Sequence, residues 1–329
     1  MKIAIFIPTY NEEVFIEKFL DSLIMQDIFN LSYEVTIRFY DGESTDQTVS
    51  LINHHLKCHG LSYSIHQNRK RFVAHAFNDF LKVVEADFLI RLDAHQVYPE
   101  NYLSRLVEVA KEKKCFGCLG PRIRMAPADG RLISKSIALV LNSRVGVGNS
   151  AFRTIGKFSG TREVDTVPFG IWQVSTLKEI GGMDLSLVRN QDDDLNRRLK
   201  RHGRKVELIG DLEVMVYPRK SIRAHFKMFY QYGMYKPISK GGFIKILFSR
   251  QIMPSLFLFF MAINFLLLGW MAVLLFLSMY LILSFNVLIP KNEKKKRLFF
   301  LNGFVLFITH LAYGLGVFRG FILLMQTHK

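Results

Sequence analysis

Short β-rich runs alternate with amphipathic helical stripes through the first hundred residues, and this alternation constrains the fold more than any other feature. The runs are Ile3–Ile7, Glu34–Tyr40, Ser62–His66 and Asp87–Leu92. Between the first two, Ile16, Phe19, Leu20, Leu23 and Ile24 fall at helical spacing on one face. Val49, Ile52 and Leu56 repeat the pattern, as do Phe77, Phe80, Leu81 and Val84. Each strand is thus followed by a helix able to cover a sheet, which predicts a parallel α/β domain with those stripes as its core. Ligands of such sheets bind beyond the carboxyl ends of the strands. The polar segments at those ends are Pro8-Thr9-Tyr10-Asn11-Glu12, Asp41-Gly42-Glu43-Ser44-Thr45-Asp46 and Asp93-Ala94-His95.

Each segment also has a purely local explanation. Asn11 could cap a helix, and Asp46 could cap the next one after a turn. Asp93 and His95 stand two apart, so if extended geometry persists they share a face and could share a divalent cation. Otherwise Asp93 caps a turn and His95 is a surface histidine. One carboxylate and one imidazole leave most of a Mg²⁺ or Mn²⁺ shell to water and diphosphate, so the ion would bind together with a nucleotide. Farther on, Asp192, Asp193 and Asp194 open a predicted helix. Electrostatic capping accounts for one or two acids there and does not require three. One carboxylate is therefore available to deprotonate a hydroxyl, with the others pairing to Arg197 or Arg198.

The net charge of +16 raises the question of nucleic acid, and its placement argues against it. From Arg219 onward there are fifteen Lys/Arg and one acid, Glu293, while the preceding part is nearly neutral, with twenty-nine basic and twenty-seven acidic residues. The charge flanks apolar runs, which points to an anionic membrane surface. Residues 219–250 hold eight basic residues, no acid and many aromatics, an interfacial composition. Residues 252–289 follow without a charge. At about 1.5 Å per residue this run is too long for one span of an about 30 Å hydrocarbon core, which predicts two helices, about 252–269 and 271–289, turning near Gly269-Trp270. The five basic residues from Lys291 to Arg297 would lie on the same side as 219–250. A third span at 298–318 is expected, although His310 and Arg319 also suit an interfacial or packed helix. Three cysteines make no disulfide framework and fit a reducing compartment. Cys115 and Cys118 have the spacing of half a zinc site, without a second pair, and read as part of a buried strand.

Taken together, these motifs resemble the family 2 glycosyltransferases, within them the branch typified by succinoglycan-biosynthesis glycosyltransferases, and the resemblance covers nearly the whole chain. Residues 8–12 match the family's first nucleotide loop. Tyr40–Asp46 matches its Asp-Asp-Gly-Ser-Thr-Asp pattern, with Tyr40 in place of the first Asp. Asn68 to Asn78 is similar to the next donor loop, Asp93-Ala94-His95 stands where most relatives carry Asp-x-Asp, and Gln191-Asp192 occupies the Glu-Asp position. Gly146–Ser150 and Asp165–Gly170 resemble acceptor loops, and Gly181–Asp184 the turn before the base loop.

The resemblance implies a GT-A (Rossmann-like) α/β domain over residues 1–218, a basic interfacial segment over 219–250 and a membrane domain over 251–329. It implies nucleotide-sugar contacts at Pro8, Tyr10, Glu12, Asp41, Arg71 and Asp93, and a Mn²⁺ or Mg²⁺ ion on Asp93 and His95. Asp192 becomes the general base, with Phe169, Gly170, Gln191, Asp193, Asp194 and Arg198 on the acceptor side. The implied activity is inverting transfer from a nucleotide-diphosphate sugar to a lipid-linked saccharide in exopolysaccharide or surface-glycan synthesis. The expected setting is the bacterial inner membrane, multi-pass, in contact with lipids, with the catalytic domain cytoplasmic. A polyprenyl-phosphate sugar synthase and a non-catalytic scaffold of the same fold are the alternatives.

Overall fold

A computed structural model describes residues 1–113, 115–148, 150–240, 246, 250–288 and 298–327. Its strands are β1 (Lys2–Thr9), β2 (Glu34–Asp41), β3 (Tyr63–Gln67), β4 (Phe88–Arg91), β5 (Gln96–Val97), β6 (Cys118–Met125), β7 (Thr161–Glu163), β8 (Ile171–Gln173) and β9 (Val206–Val216). The first ten helices are α1 (Ile16–Ile24), α2 (Thr48–Cys58), α3 (Val73–Val83), α4 (Tyr102–Glu112), α5 (Leu132–Leu141), α6 (Arg144–Val147), α7 (Ala151–Thr154), α8 (Val174–Ile180), α9 (Gln191–Arg201) and α10 (Ile222–Lys240). Among the described residues the strands form one sheet in the order β3-β2-β1-β4-β8-β6-β9-β5, with β7 on β9.

The half of the sheet built from strand–helix–strand repeats is parallel: β2 and β4 flank β1, and β3 pairs with β2. Beyond β4 the pairing turns antiparallel, to β8 and then β6. β1 is central and covered on both faces, so Ile3 to Ile7 are all buried, as expected of a continuous apolar run in a parallel sheet. Phe6 meets Phe77 and Phe80 of α3 at ring-centroid distances of 5.4 and 5.7 Å. In α1 the residues Ile16, Phe19, Leu20 and Leu23 are fully buried.

Register decides where the polar ends collect. Thr9 pairs with Asp41 across β1 and β2, whereas Phe6 pairs with Arg91 across β1 and β4. β4 therefore stops three residues before β1 does, about 10 Å at the usual rise per residue. The backbone after Arg91 is released to turn while β1 and β2 continue, and polar side chains from all three strands gather at this one edge.

Local departures from the sequence reading have simple causes. α1 begins at Ile16, not directly after Asn11, because Asn11 takes a left-handed conformation (φ 52°) and uses its side chain on the neighbouring loop. Cys118 is buried at the start of β6, but Cys115 is exposed ahead of it, so the pair does not lie in one buried strand.

The chain divides into two compact units. The first comprises Met1–Arg124 and Ile155–Val216 and holds the sheet. The second comprises Met125–Thr154 and Tyr217–Lys329, so the α5–α7 segment groups with the C-terminal helices. Within this unit Ser136 of α5 donates to Asn302 Oδ1 at 2.6 Å, and His225 of α10 hydrogen-bonds Thr309 at 2.8 Å, both buried. Gly316 and Gly320 let the helix Leu298–Thr327 press against α10. A Cβ on Gly316 would stand 2.1 Å from the Tyr230 carbonyl oxygen, and one on Gly320 2.3 Å from that of Met234. Small residues four apart are a familiar device for close helix approach in lipid.

Gly269, at φ 63°, divides the long uncharged run into the helices Met253–Leu268 and Trp270–Leu288. Among the described residues one helix, Leu298–Gln326, is long and apolar enough to cross a membrane, with mean hydropathy 1.7. Among the described residues the expected multi-pass arrangement is therefore not supported. Met253–Leu268 has 16 residues, about 24 Å of helix, which falls short of a typical core. The basic run Lys291–Arg297, Asn149, residues 241–245 and 247–249, and the last residue of the expected span 271–289 lie outside the described residues.

Candidate active site

Asp41 ends β2 with its carboxylate buried and fully engaged. Oδ1 accepts from the hydroxyls of Thr9 (3.2 Å) and Ser44 (2.6 Å), and Oδ2 from the Ser44 amide at 2.8 Å. The loops after β1 and β2 are stitched together beside it. The Asn11 amide donates to Ser44 Oγ (2.9 Å), the Thr45 amide to Asn11 Oδ1 (2.9 Å), and the Glu12 amide to Thr48 Oγ1 (2.8 Å). Pro8, half-buried, pairs in register with Tyr40, and Tyr10 is exposed at the rim. The Arg71 guanidinium lies 5.4 Å from the Tyr10 ring centroid and 3.3 Å from Glu43. Five of the expected nucleotide residues, Pro8, Tyr10, Glu12, Asp41 and Arg71, thus sit around two adjoining loops. Asp93 belongs to the neighbouring strand end.

There the organising residue is Arg91, the last residue of β4, buried and held by its amide donating to the Gly170 carbonyl at 3.1 Å. Its Nε and Nη2 donate to the two oxygens of Asp93 (2.8 and 3.3 Å), and its Nη1 to Asp192 Oδ1 at 2.8 Å. Burial works against the guanidinium's charge, but Asp192 and Asp93 hold it protonated more firmly than usual. The chain reverses after Asp93: its amide donates to the Tyr98 hydroxyl (2.8 Å), which donates to Gln96 Oε1 (2.7 Å), while Gln96 Nε2 donates to Asp93 Oδ2 (3.2 Å). Extended geometry therefore does not continue to His95, whose Nδ1 lies 3.4 Å from Glu12 Oε1 instead.

Asp192 stands in the first turn of α9, entered through Asn190 in a left-handed conformation (φ 64°). Burial pushes its carboxyl up to about 7, with Arg91 pulling it down and Asp93 and Asp193 pushing it further up. Its side chain keeps 22% of its surface open, so the carboxylate is accessible although largely desolvated. That is the range in which a carboxylate serves as a base at neutral pH. Gln191 turns back, donating to the Val188 carbonyl at 2.8 Å.

Four residues expected on the acceptor side serve the framework instead. Phe169 is buried at 1% exposure, 6.4 Å from the Tyr98 ring centroid, so its side chain belongs to the core. Gly170 is required by space: a Cβ there would meet the Leu119 carbonyl oxygen at 2.0 Å. Asp194 is buried and binds Arg197 and Arg198, and Arg198 Nη1 donates to the Ile180 carbonyl at 3.0 Å. These two clamp α9 to the turn at Gly181-Gly182, where the Asn78 side chain also pairs with both backbone groups of Met183 at 2.8 Å.

Among the described residues no three His, Cys, Asp or Glu side chains form a metal cluster. Asp93 and His95 fit a hard divalent ion only as a partial donor set. Each Asp93 oxygen already accepts a hydrogen bond, and His95 belongs to a separate pair with Glu12. The residue that sequence reasoning passed over is Arg91. Its signal was a cation closing the otherwise apolar run Phe88-Leu89-Ile90, since a charge in a buried strand demands partners.

A sheet of this order, with acidic and polar loops collected at the carboxyl ends of its parallel strands, is an α/β fold of the GT-A type. Residues 4–165 match the family model "Glycosyl transferase family 2". The chain is 29% identical over 336 residues to the dolichyl N-acetyl-alpha-D-glucosaminyl phosphate 3-beta-D-2,3-diacetamido-2,3-dideoxy-beta-D-glucuronosyltransferase of Methanococcus voltae, covering 99% of both chains. It is 29% identical over 256 residues to the succinoglycan biosynthesis protein ExoA of Rhizobium meliloti (strain 1021), covering 77% of this chain and 72% of ExoA. Two solved structures share the fold. S. aureus TarS 1-349 with UDP-GlcNAc aligns at a TM-score of 0.53 and 14% identity, covering 97% of this chain and 92% of that one. The mannosyltransferase PcManGT from Pyrobaculum calidifontis, with GDP-Man and Mn²⁺, aligns at 0.51 and 19% identity, covering 70% and 61%. Residues 4–165 are thus a family 2 glycosyltransferase domain, in a chain similar along its length to glycosyltransferases.

Proposed function

We propose that this enzyme transfers a sugar from a nucleoside-diphosphate donor to a hydroxyl of a lipid-linked saccharide, with inversion at the anomeric carbon. The observation that carries the reading is Asp192, an accessible carboxylate poised near neutrality and tied through Arg91 to donor-side Asp93. Asp192 takes the acceptor proton, the acceptor oxygen bonds to the anomeric carbon, and the bond from that carbon to the diphosphate oxygen breaks on the opposite face. Base catalysis of this kind contributes about 10² to 10⁴-fold. Asp41, Thr9 and the 8–12 loop hold the nucleoside, Tyr10 and Arg71 the rim of the donor, and Gln191 and Asp193 border the acceptor.

Asp93 and His95 are the residues that would hold Mn²⁺ or Mg²⁺, completed by the diphosphate; PcManGT with GDP-Man and Mn²⁺ supports that choice. Such an ion supplies electrostatic stabilisation of the leaving diphosphate. The M. voltae relative, named for transfer to a dolichyl phosphate-linked sugar, supports a lipid-linked acceptor, and ExoA supports a place in exopolysaccharide or surface-glycan synthesis. We assign catalysis to the first compact unit, on the cytoplasmic side of the plasma membrane. Membrane attachment, by one or more spans, belongs to the second, whose basic α10 suits anionic lipid.

The test is to incubate membranes carrying the enzyme with a panel of nucleotide sugars and polyprenyl-linked saccharides, following diphosphate release and the product's anomeric configuration by NMR. Diphosphate release that requires the saccharide, with configuration opposite to the donor's, is expected. Transfer to polyprenyl phosphate itself would favour a synthase, and no nucleotide binding at all a scaffold.

A further inference from the structure

We propose that Arg91 is the positioning residue of the transfer reaction, a single guanidinium that sets the base carboxylate and the donor-side carboxylate against each other. The inference rests on the assignment of Asp192 as base and goes beyond it, because neither acid alone explains why a buried cation closes β4.

The geometry uses the whole planar fork. Nε and Nη2 grip both oxygens of Asp93, and Nη1 reaches Asp192 Oδ1 across 101 positions of sequence. Because the guanidinium is rigid and planar, fixing one carboxylate on its Nε/Nη2 edge fixes where the other must sit. Register anchors the fork itself: Arg91 pairs with Phe6 in the sheet and donates its amide to the Gly170 carbonyl, so its backbone cannot drift from the strand. Asp192, in contrast, enters its helix through a left-handed residue in a loop and has no comparable strand to hold it. Among the described residues, Arg91, Asp93 and Asp193 are the charged groups that bear on Asp192, which itself bears on the buried Cys118 thiol of β6. Arg91 is the one cation among them. Without it, two carboxylates would be left close together in a desolvated setting, and Asp192 would lose both its orientation and its anionic form.

A second consequence follows from the same contacts. The Asp93 end of the fork concerns the donor and the Asp192 end concerns the acceptor's proton, so removing Arg91 produces two separable defects. Lysine keeps the charge but presents no fork and cannot satisfy both carboxylates bidentately.

The test is a double-mutant cycle on the full-length enzyme, with Arg91→Met and Asp192→Asn made singly and together, and Arg91→Lys as a charge-preserving variant. Turnover is read with a hydroxyl acceptor, nucleoside-diphosphate binding by titration, and the folding of each variant by circular dichroism and thermal unfolding. Arg91→Met is expected to lower kcat about 100-fold in the wild-type background. In the Asp192→Asn background it should lower kcat no further, while its weakening of nucleotide binding persists in both. Arg91→Lys should recover part of the loss in kcat; it also carries the cycle should the methionine variant not fold. An equal kcat loss from the Arg91 substitution in both backgrounds would make Arg91 a merely structural residue and overturn the proposal. Asp192→Asn retaining near wild-type turnover is a different failure, which removes the base assignment itself.

Discussion

Asp194 Oδ2 accepts from Arg198 Nε at 2.7 Å, one turn along the same helix. Two positions earlier, Asp192 accepts from Arg91 on a different strand. Acids in one helical turn therefore serve opposite purposes: Asp194 is spent on holding α9 to the turn at residues 180–182, and Asp192 is left open. Replacing Asp194 by Ala strands two arginines. Because Arg198 is partly exposed, the loss belongs at the lower end for a broken buried pair, about 3 kcal/mol. Thermal unfolding in detergent should show a markedly lowered midpoint, and the folded fraction should still bind nucleoside diphosphate.

Activity and stability should run in opposite directions with pH. Asp192 sits at about 7 against an ordinary 3.8. A raised carboxyl pKa means the native state prefers the protonated form. Its stabilising contribution is complete below the unfolded value and is lost as pH rises through about 7. Transfer needs the ionised form. We expect kcat/KM to fall tenfold per pH unit below about pH 7, while the unfolding midpoint gains its Asp192 contribution over that same interval. A flat rate profile from about pH 5 to 8 would contradict this.

Asp41 accepts three hydrogen bonds that order the nucleotide loops. Asp41→Ala leaves the Thr9 hydroxyl and both Ser44 donors without that acceptor. Losing a charged acceptor costs about 1.5–3 kcal/mol, so nucleoside-diphosphate affinity measured by calorimetry should drop by roughly ten- to a hundredfold, with kcat at saturating donor affected far less.

Gly316→Leu tests the helix crossing in the second unit. A side chain there collides with the Tyr230 backbone rather than with a movable side chain. Overpacking of this kind costs about 1–3 kcal/mol. The expected result is a lower unfolding midpoint in detergent, with nucleotide binding by the remaining folded enzyme unchanged.

The parallel half of the sheet was legible because its helices carry clean apolar stripes and β1 is apolar on both faces. The gathering of polar loops at one sheet edge was legible because they follow directly on the carboxyl ends of parallel strands. Three things were not. The shared strand face expected of Asp93 and His95 holds only while the strand is imagined to continue, and the Tyr98 and Gln96 contacts that turn the chain are not encoded by spacing. Phe169 and Gly170 occupy a motif whose value is steric, which becomes visible only when Leu119 lies against it. Arg91 gave a signal, a cation in an apolar strand, yet its two partners lie 2 and 101 positions away and only the fold joins them.

The most direct test is Asp192→Asn assayed for both transfer and binding. The isosteric amide can still contact Arg91 but cannot accept the acceptor's proton. Nucleoside-diphosphate affinity should stay close to that of the wild type, while transfer to a lipid-linked hydroxyl falls by about 10² to 10⁴-fold. Transfer at a rate near wild type would contradict the account, since the acceptor would then need no base at this position.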